Sequence, residues 1–205
     1  ATSGTAATRE ASPSPVYEKY ATGWYSDSGA STSITKLSTL PEYDKYVFGG
    51  FYTGKAGSGD QVIDASGTIK ASNTKYTSTS TVYAKYSACT CTAGTGVKSC
   101  TVSGTNTLNQ CQYSVTCNSG YSQSGGTNTT MSFTATGSAA TAAYTASCKA
   151  NSTYTVTYSC GDGSGTAPSN GSATYNVSFT PASNSCSRTG YTFAGWTVSG
   201  TSDVK

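Results

Sequence analysis

The sequence has no histidine, one methionine, and only three leucines and three isoleucines in 205 residues. Charge is scarce too: Asp, Glu, Lys and Arg make up 10% of the chain and leave a net charge of +3. Each shortage excludes something. Without histidine there is no Ser-His-Asp or Cys-His relay and no His-containing zinc site. Three leucines cannot fill the seam of a helical bundle or a coiled coil. No apolar run approaches the ~18 residues of a membrane-spanning helix. Twelve Lys and Arg scattered among nine acids do not make the basic stripe that neutralises phosphates, so no nucleic-acid partner is expected.

Ser and Thr are abundant, at 71 residues, with 23 Gly and 16 Tyr beside them. Low charge with this much Ser, Thr and Gly suits a disordered chain, but an aromatic content of 11% and a regular alternation do not. Tyr113, Val115 and Cys117 alternate with Ser114 and Thr116. Met131, Phe133 and Ala135 alternate with Ser132 and Thr134. Tyr154, Val156 and Tyr158, then Tyr175, Val177 and Phe179, alternate with Thr, Asn and Ser. Period-2 runs of β-branched and aromatic residues predict strands with one apolar face. Gly/Ser/Asn/Asp clusters at 122–128 and 161–165 predict turns. No segment shows helical periodicity, and 139–146 reads as loop or strand. The expected fold class is all-β.

Eight cysteines are present: Cys89, Cys91, Cys100, Cys111, Cys117, Cys148, Cys160 and Cys186. None is spaced C-x-x-C, which argues against zinc and for disulfides, and hence for a secreted, surface or periplasmic location. Cys160 and Cys186 stand apart from the rest and are expected to pair. Cys148 is expected to close a long loop onto Cys117. Cys89 and Cys91 share one strand face and should go to different partners; sequence leaves the rest of the pairing open.

Composition changes near residues 87 and 151. Residues 1–16, rich in Ala, Ser, Thr and Pro, read as a linker or extended arm. Three modules are expected after it, at 17–86, 87–150 and 151–205. Modules this small need staples, which disulfides supply to the second and third. The first has no cysteine and must rely on an aromatic core from Tyr17, Tyr20, Trp24, Tyr25, Tyr43, Tyr46, Phe48, Phe51 and Tyr52.

Self-comparison finds one repeat. Tyr46-Val47-Phe48-Gly49-Gly50-Phe51 aligns with Tyr191-Thr192-Phe193-Ala194-Gly195-Trp196. In each copy Tyr and Phe two apart share a strand face, the small residue and Gly permit a bulge or a close backbone approach, and the last aromatic closes the core. With Gly190 in front, the second copy resembles the GYTFxGW signature of the Listeria–Bacteroides repeat, or internalin B-repeat. Gly23-Trp24-Tyr25 and residues 154–159 are similar to its opening strand, and residues 81–86 look like its closing strand. The resemblance covers 16–86 and 151–205, and the middle module matches no pattern. It implies β-grasp-like modules strung along bacterial surface proteins as spacers or interaction surfaces, without catalytic residues. Cys160 and Cys186 depart from the family pattern. The third module shows no closing strand, so it is expected to be incomplete and the chain to be a piece of a longer array. An open edge there would accept a strand, with the 1–16 arm as donor.

Chemistry is thinly represented. Glu42 and Asp44 lie two apart beside Pro41 and read as loop rather than as a glycosidase pair. Asp60 and Asp64 offer oxygens to calcium, without EF-hand spacing, and read better as a polar turn. The Gly-rich segments lack the strand–helix context of a phosphate loop. Sequons at Asn128, Asn151, Asn170 and Asn176 are unsurprising in so Ser- and Thr-rich a chain. The expected function is a non-enzymatic spacer or adhesin on a cell surface, with no cofactor, whose partners are neighbouring modules, further copies, or a host or glycan ligand. A filament subunit and a carbohydrate-binding module are the alternatives. In the last case Tyr and Trp rings would form the sugar-stacking platform.

Overall fold

A computed structural model describes residues 8–74, 76 and 78–199. Short strands and turns account for nearly all of it. Among the described residues the single helical element is a 3-10 turn at Lys55–Gly57. In chain order the strands are β1 (Tyr17–Lys19), β2 (Gly23–Tyr25), β3 (Ser33–Ile34), β4 (Tyr46–Tyr52), β5 (Gln61–Asp64), β6 (Tyr83–Ala88), β7 (Thr90–Ala93), β8 (Val97–Thr105) and β9 (Cys111–Cys117). They continue with β10 (Tyr121–Ser122), β11 (Ser132–Thr136), β12 (Ala143–Ala146), β13 (Lys149–Ala150), β14 (Thr153–Val156), β15 (Ser164–Gly165), β16 (Gly171–Thr174) and β17 (Cys186–Ser187).

The chain divides into two units rather than three modules. The first holds residues 8–94, 98–116 and 133–146; the second holds 95–97, 117–132 and 147–199. The expected boundary at 86/87 falls inside β6, and the cysteine-rich segment is shared between the units. Packing explains this. Val47, from the first module, is buried in one cluster with Cys89, Cys111 and Tyr113.

In the first unit, β4 is the middle strand of an antiparallel sheet ordered β5-β4-β6. Both faces of β4 are covered: Val47 and Phe48 are fully buried. Its register against β6 shifts between Phe48 and Gly50, a bulge of the kind that Gly-Gly allows. One extra residue resets the alternation, so Phe48 and Phe51, three apart, meet edge to face at 5.0 Å. Gly50 sits at φ +118°, where an added Cβ would lie 2.5 Å from the Ile63 carbonyl oxygen. β1, β2 and β3 form a second small sheet. A third, ordered β11-β9-β8, carries the clearest alternation: Cys111, Tyr113, Val115 and Cys117 are all buried. β7 and β12 pair in parallel, so 143–146 is strand. The core is therefore assembled from small sheets, as expected of β-rich, disulfide-containing modules.

Two expectations about the first module change. Tyr17 and Tyr20 are exposed, not core. Residues 8–16 are not a free arm. Arg9 bridges Glu42 and Ser12 bridges Thr39, while Ala11 and Val16 pack on the Leu37–Val62–Ile63 cluster.

The second unit consists of three strand pairs, β10/β13, β14/β16 and β15/β17. Its buried residues include Val97, the Cys117–Cys148 pair, Ser122 and Asn151. The Ser122 hydroxyl donates to Asn151 Oδ1 at 2.6 Å, and Asn151 Nδ2 donates to the Tyr175 carbonyl at 3.1 Å. No described residue beyond Asn151 is buried. The run 175–179, expected as strand, is a turn and loop: Asn176 has φ +57°, and Val177 N–H donates to the Thr174 carbonyl, which ends β16.

All eight cysteines are paired. Cys89–Cys111 and Cys91–Cys100 lie in the first unit, Cys117–Cys148 and Cys160–Cys186 in the second. Cys89 and Cys91, two apart, thus go to different partners. Four disulfides place the chain in an oxidising environment of the secreted kind. No described helix is long and apolar enough to cross a membrane.

Candidate functional site

A deep concavity lies in the first unit, beside β1 and β2. It is a cleft of about 860 Å³ with Tyr17, Tyr20, Trp24, Phe51 and Tyr76 among its lining rings. Local sequence builds it simply. The turn from Lys19 to Thr22 places Ala21 at φ +57° and closes through Thr22 N–H to the Lys19 carbonyl. The resulting hairpin sets Glu18 directly opposite Trp24 across β1 and β2, so the two share a sheet face.

A distant segment completes the wall. Trp24 Nε1 donates to the Ala71 carbonyl at 3.2 Å, Ala21 N–H donates to the Asn73 carbonyl, and Tyr76 N–H donates to Glu18 Oε2 at 3.0 Å. The Trp24 and Tyr76 rings then meet edge to face at 6.0 Å. The floor is Leu37, Val62 and Ile63, all buried. Residues 78–81, two Ser and two Thr, are exposed along one side.

Glu18 is the only carboxylate, and there is no cationic side chain, among the described lining residues. Its second oxygen, Oε1, is buried without a hydrogen-bond partner, and so is the Tyr76 hydroxyl. Unpaired buried polar atoms are costly and uncommon in native proteins. A smaller hollow of about 360 Å³ includes Arg9 and Lys36. There Arg9 is already engaged by the Leu40 and Thr107 carbonyls and by Glu42 at 3.5 Å.

The predicted site residues fall out unequally. Phe48 and Gly50 are buried, and Tyr46 and Phe51 half-buried, all on β4. Their counterparts are not in a strand. Tyr191 is 68% exposed and Phe193 45% exposed. Tyr191 instead lies against the Arg188 guanidinium at 4.2 Å. Trp196 is half-buried, 4.8 Å from the Tyr158 ring, and its Nε1 donates to the Ala182 carbonyl. Gly195, aligned with Gly50, shares a positive φ of +145°. The second signature thus keeps its glycine conformation without the core expected of it, because no strand pairs with it among the described residues.

The carboxylates serve turns. Asp64 Oδ1 accepts from Ser66 N–H, the Ser66 hydroxyl and Thr68 N–H, and Lys70 lies 3.3 Å from Oδ2. Burial pushes the Asp64 carboxyl up, but those hydrogen bonds outweigh it and hold it below the usual range. A lysine ammonium at this carboxylate opposes a calcium ion there. Asp60 takes part in the neighbouring turn, its N–H donating to Thr53 Oγ1. Glu42 is bridged to Arg9 at 3.5 Å.

Read along the chain, Tyr17, Tyr20 and Trp24 are expected in the core, and nothing local marks Glu18 or Tyr76. The pattern Tyr17-Glu18-Lys19-Tyr20 with Trp24 is visible locally. The partner that makes it a cleft, Tyr76, lies 58 residues from Glu18. No protein-family model, no curated protein and no solved structure matches the chain, so the likeness to the Listeria–Bacteroides repeat rests on the signature residues alone.

Proposed function

We propose that this chain is a non-enzymatic segment of an extracellular bacterial repeat protein, acting as a disulfide-stapled spacer that also presents an adhesive surface at the cell exterior. The observation that carries the reading is the distribution of staples. Each unit has two disulfides of its own, and the separations, 22, 9, 31 and 26 residues, are all short. Local cross-links limit how far a unit can extend under load, and they hold small modules folded where hydrophobic burial is thin. A surface dominated by Ser and Thr hydroxyls stays hydrated with little dependence on salt or pH.

Force spectroscopy on the intact chain tests this. Under oxidising conditions the contour length gained on unfolding should fall short of the full chain. Reductant should release the residues behind each staple at about 3.4 Å per residue. Equal extension with and without reductant would sink the spacer reading.

A second reading, a filament subunit formed by arm exchange, draws support from residues 8–16. They attach to 39 and 42 by isolated bridges and to the core through Ala11 and Val16. Such an arm can be traded for the same arm of another copy. Concentration-dependent oligomers that vanish on deleting 1–16 would favour it.

A further inference from the structure

We propose that the cleft beside β1 and β2 binds a neutral oligosaccharide, with the exposed Tyr20 ring as the stacking surface and Trp24 in the wall. This names the ligand of the adhesive surface and rests on that reading for its biological meaning. Four observations converge on it. The volume, about 860 Å³, lies within the usual range of ligand pockets. Rings and hydroxyls are exposed around it: Tyr20 is 61% exposed, Tyr17 is 36% exposed, and the Ser and Thr residues of 78–81 are exposed. Large exposed rings on a molecule with so few large apolar residues invite contact with a flat partner.

Charge then narrows the ligand. Among the described lining residues Glu18 is the only charged side chain, so they offer an anion no partner. An ammonium ion would want an accessible carboxylate. Glu18 is set back in the wall instead, with Oε2 taken by Tyr76 N–H and Oε1 shielded. A sugar meets both surfaces. Its C–H faces lie on the rings, and its hydroxyls meet the Ser and Thr residues of 78–81. The Ser and Thr hydroxyls at the rim can donate or accept as a sugar requires.

The test uses the whole chain with Trp196→Phe, which leaves Trp24 as its sole tryptophan. Cellotriose, maltotriose and triacetylchitotriose are titrated to about 10 mM, and pentylammonium chloride is titrated in parallel; the expected result is a saturable change in Trp24 emission with at least one trisaccharide, at a Kd of about 1 mM or tighter. Tyr20→Ala, at an exposed position, should weaken that binding about ten-fold with an unchanged circular dichroism spectrum, whereas Tyr20→Phe keeps the ring and should stay within about two-fold. The proposal is overturned if no trisaccharide binds, if only pentylammonium binds, or if Tyr20→Ala binds as tightly as the parent. Because binding is read on the isolated protein, an empty titration removes the glycan and leaves the spacer reading to its own force measurement.

Discussion

Asn109 hydrogen-bonds both backbone groups of Phe48, 61 positions away: Phe48 N–H donates to Oδ1 at 2.6 Å, and Nδ2 donates to the Phe48 carbonyl at 2.8 Å. β5 pairs with β4 only from Gly50 onward. The edge of Phe48 on that side would therefore carry an unpaired donor and acceptor inside a buried core. A carboxamide, with one donor and one acceptor, substitutes for a strand there. Asn109 is itself buried and holds φ +58°, a conformation that Asn tolerates better than most residues.

Asn109→Ala should therefore cost about 3 kcal/mol, since two buried backbone groups lose their partners. Asn109→Asp should do no better, because a carboxylate oxygen would then face the Phe48 carbonyl. Urea denaturation of both variants checks this, and a loss under about 1 kcal/mol for Ala would contradict the buried double bond.

Gly50→Ala should be among the most damaging single substitutions. The new methyl meets the Ile63 carbonyl oxygen at 2.5 Å, from a residue at φ +118°. Backbone on backbone cannot yield as a flexible side chain would, so a loss of at least about 3 kcal/mol, or failure to fold, is expected. Gly126→Ala, at φ +64° with open space around it, should cost only about 1–2 kcal/mol, the usual left-handed penalty. Similar losses at both positions would refute the close approach.

Removing Cys160–Cys186 as a double alanine variant should cost about 3.5 kcal/mol by loop closure. The effect should be local, because the residues beyond Asn151 have no buried side chain to hold them. Hydrogen exchange should show protection lost over 153–187 and retained in β4 and β9. Loss of protection in β4 as well would show that the staple supports more than its own unit.

Stability should fall at both extremes of pH. Hydrogen bonds from Ser31 and Thr32 N–H hold the Asp27 carboxyl below its ordinary value, and Asp64 is held low as well. A depressed carboxyl contributes stability that is present above its unfolded value of 3.8 and lost as pH falls through the lower folded value. Asp64→Asn should flatten the acid limb of a pH–stability curve. At the alkaline end, burial, with Glu10 nearby, pushes the Tyr86 phenol up to about 12. Its contribution is full below about pH 10 and disappears as pH rises to about 12. Tyr86→Phe should remove that part of the alkaline decline.

Much of the fold could be read along the chain. The alternation over Tyr113, Val115 and Cys117 predicts their burial on β9, and Gly49-Gly50 predicts the bulge in β4. The spacing of Cys160 and Cys186 predicts their bond. These are properties of period, backbone freedom and reach, all set by neighbours in sequence. The cleft was legible only in half. Tyr17, Glu18 and Trp24 lie on one hairpin, but Tyr76 arrives from a segment whose own sequence says nothing of where it docks.

The two copies of the Tyr-x-Phe-small-Gly-aromatic pattern mark the boundary most clearly. Six residues dictate the same side-chain spacing and a positive-φ glycine in each copy, at Gly50 and at Gly195. In one copy β5, β6 and the Asn109 carboxamide take up the backbone groups, and Phe48 disappears from solvent. In the other, residues 191–196 have no strand alongside among the described residues, and Phe193 stays exposed. Alternation selects which side chains share a face. Whether that face is buried depends on hydrogen-bonding partners tens of residues away, and that only the assembled chain decides.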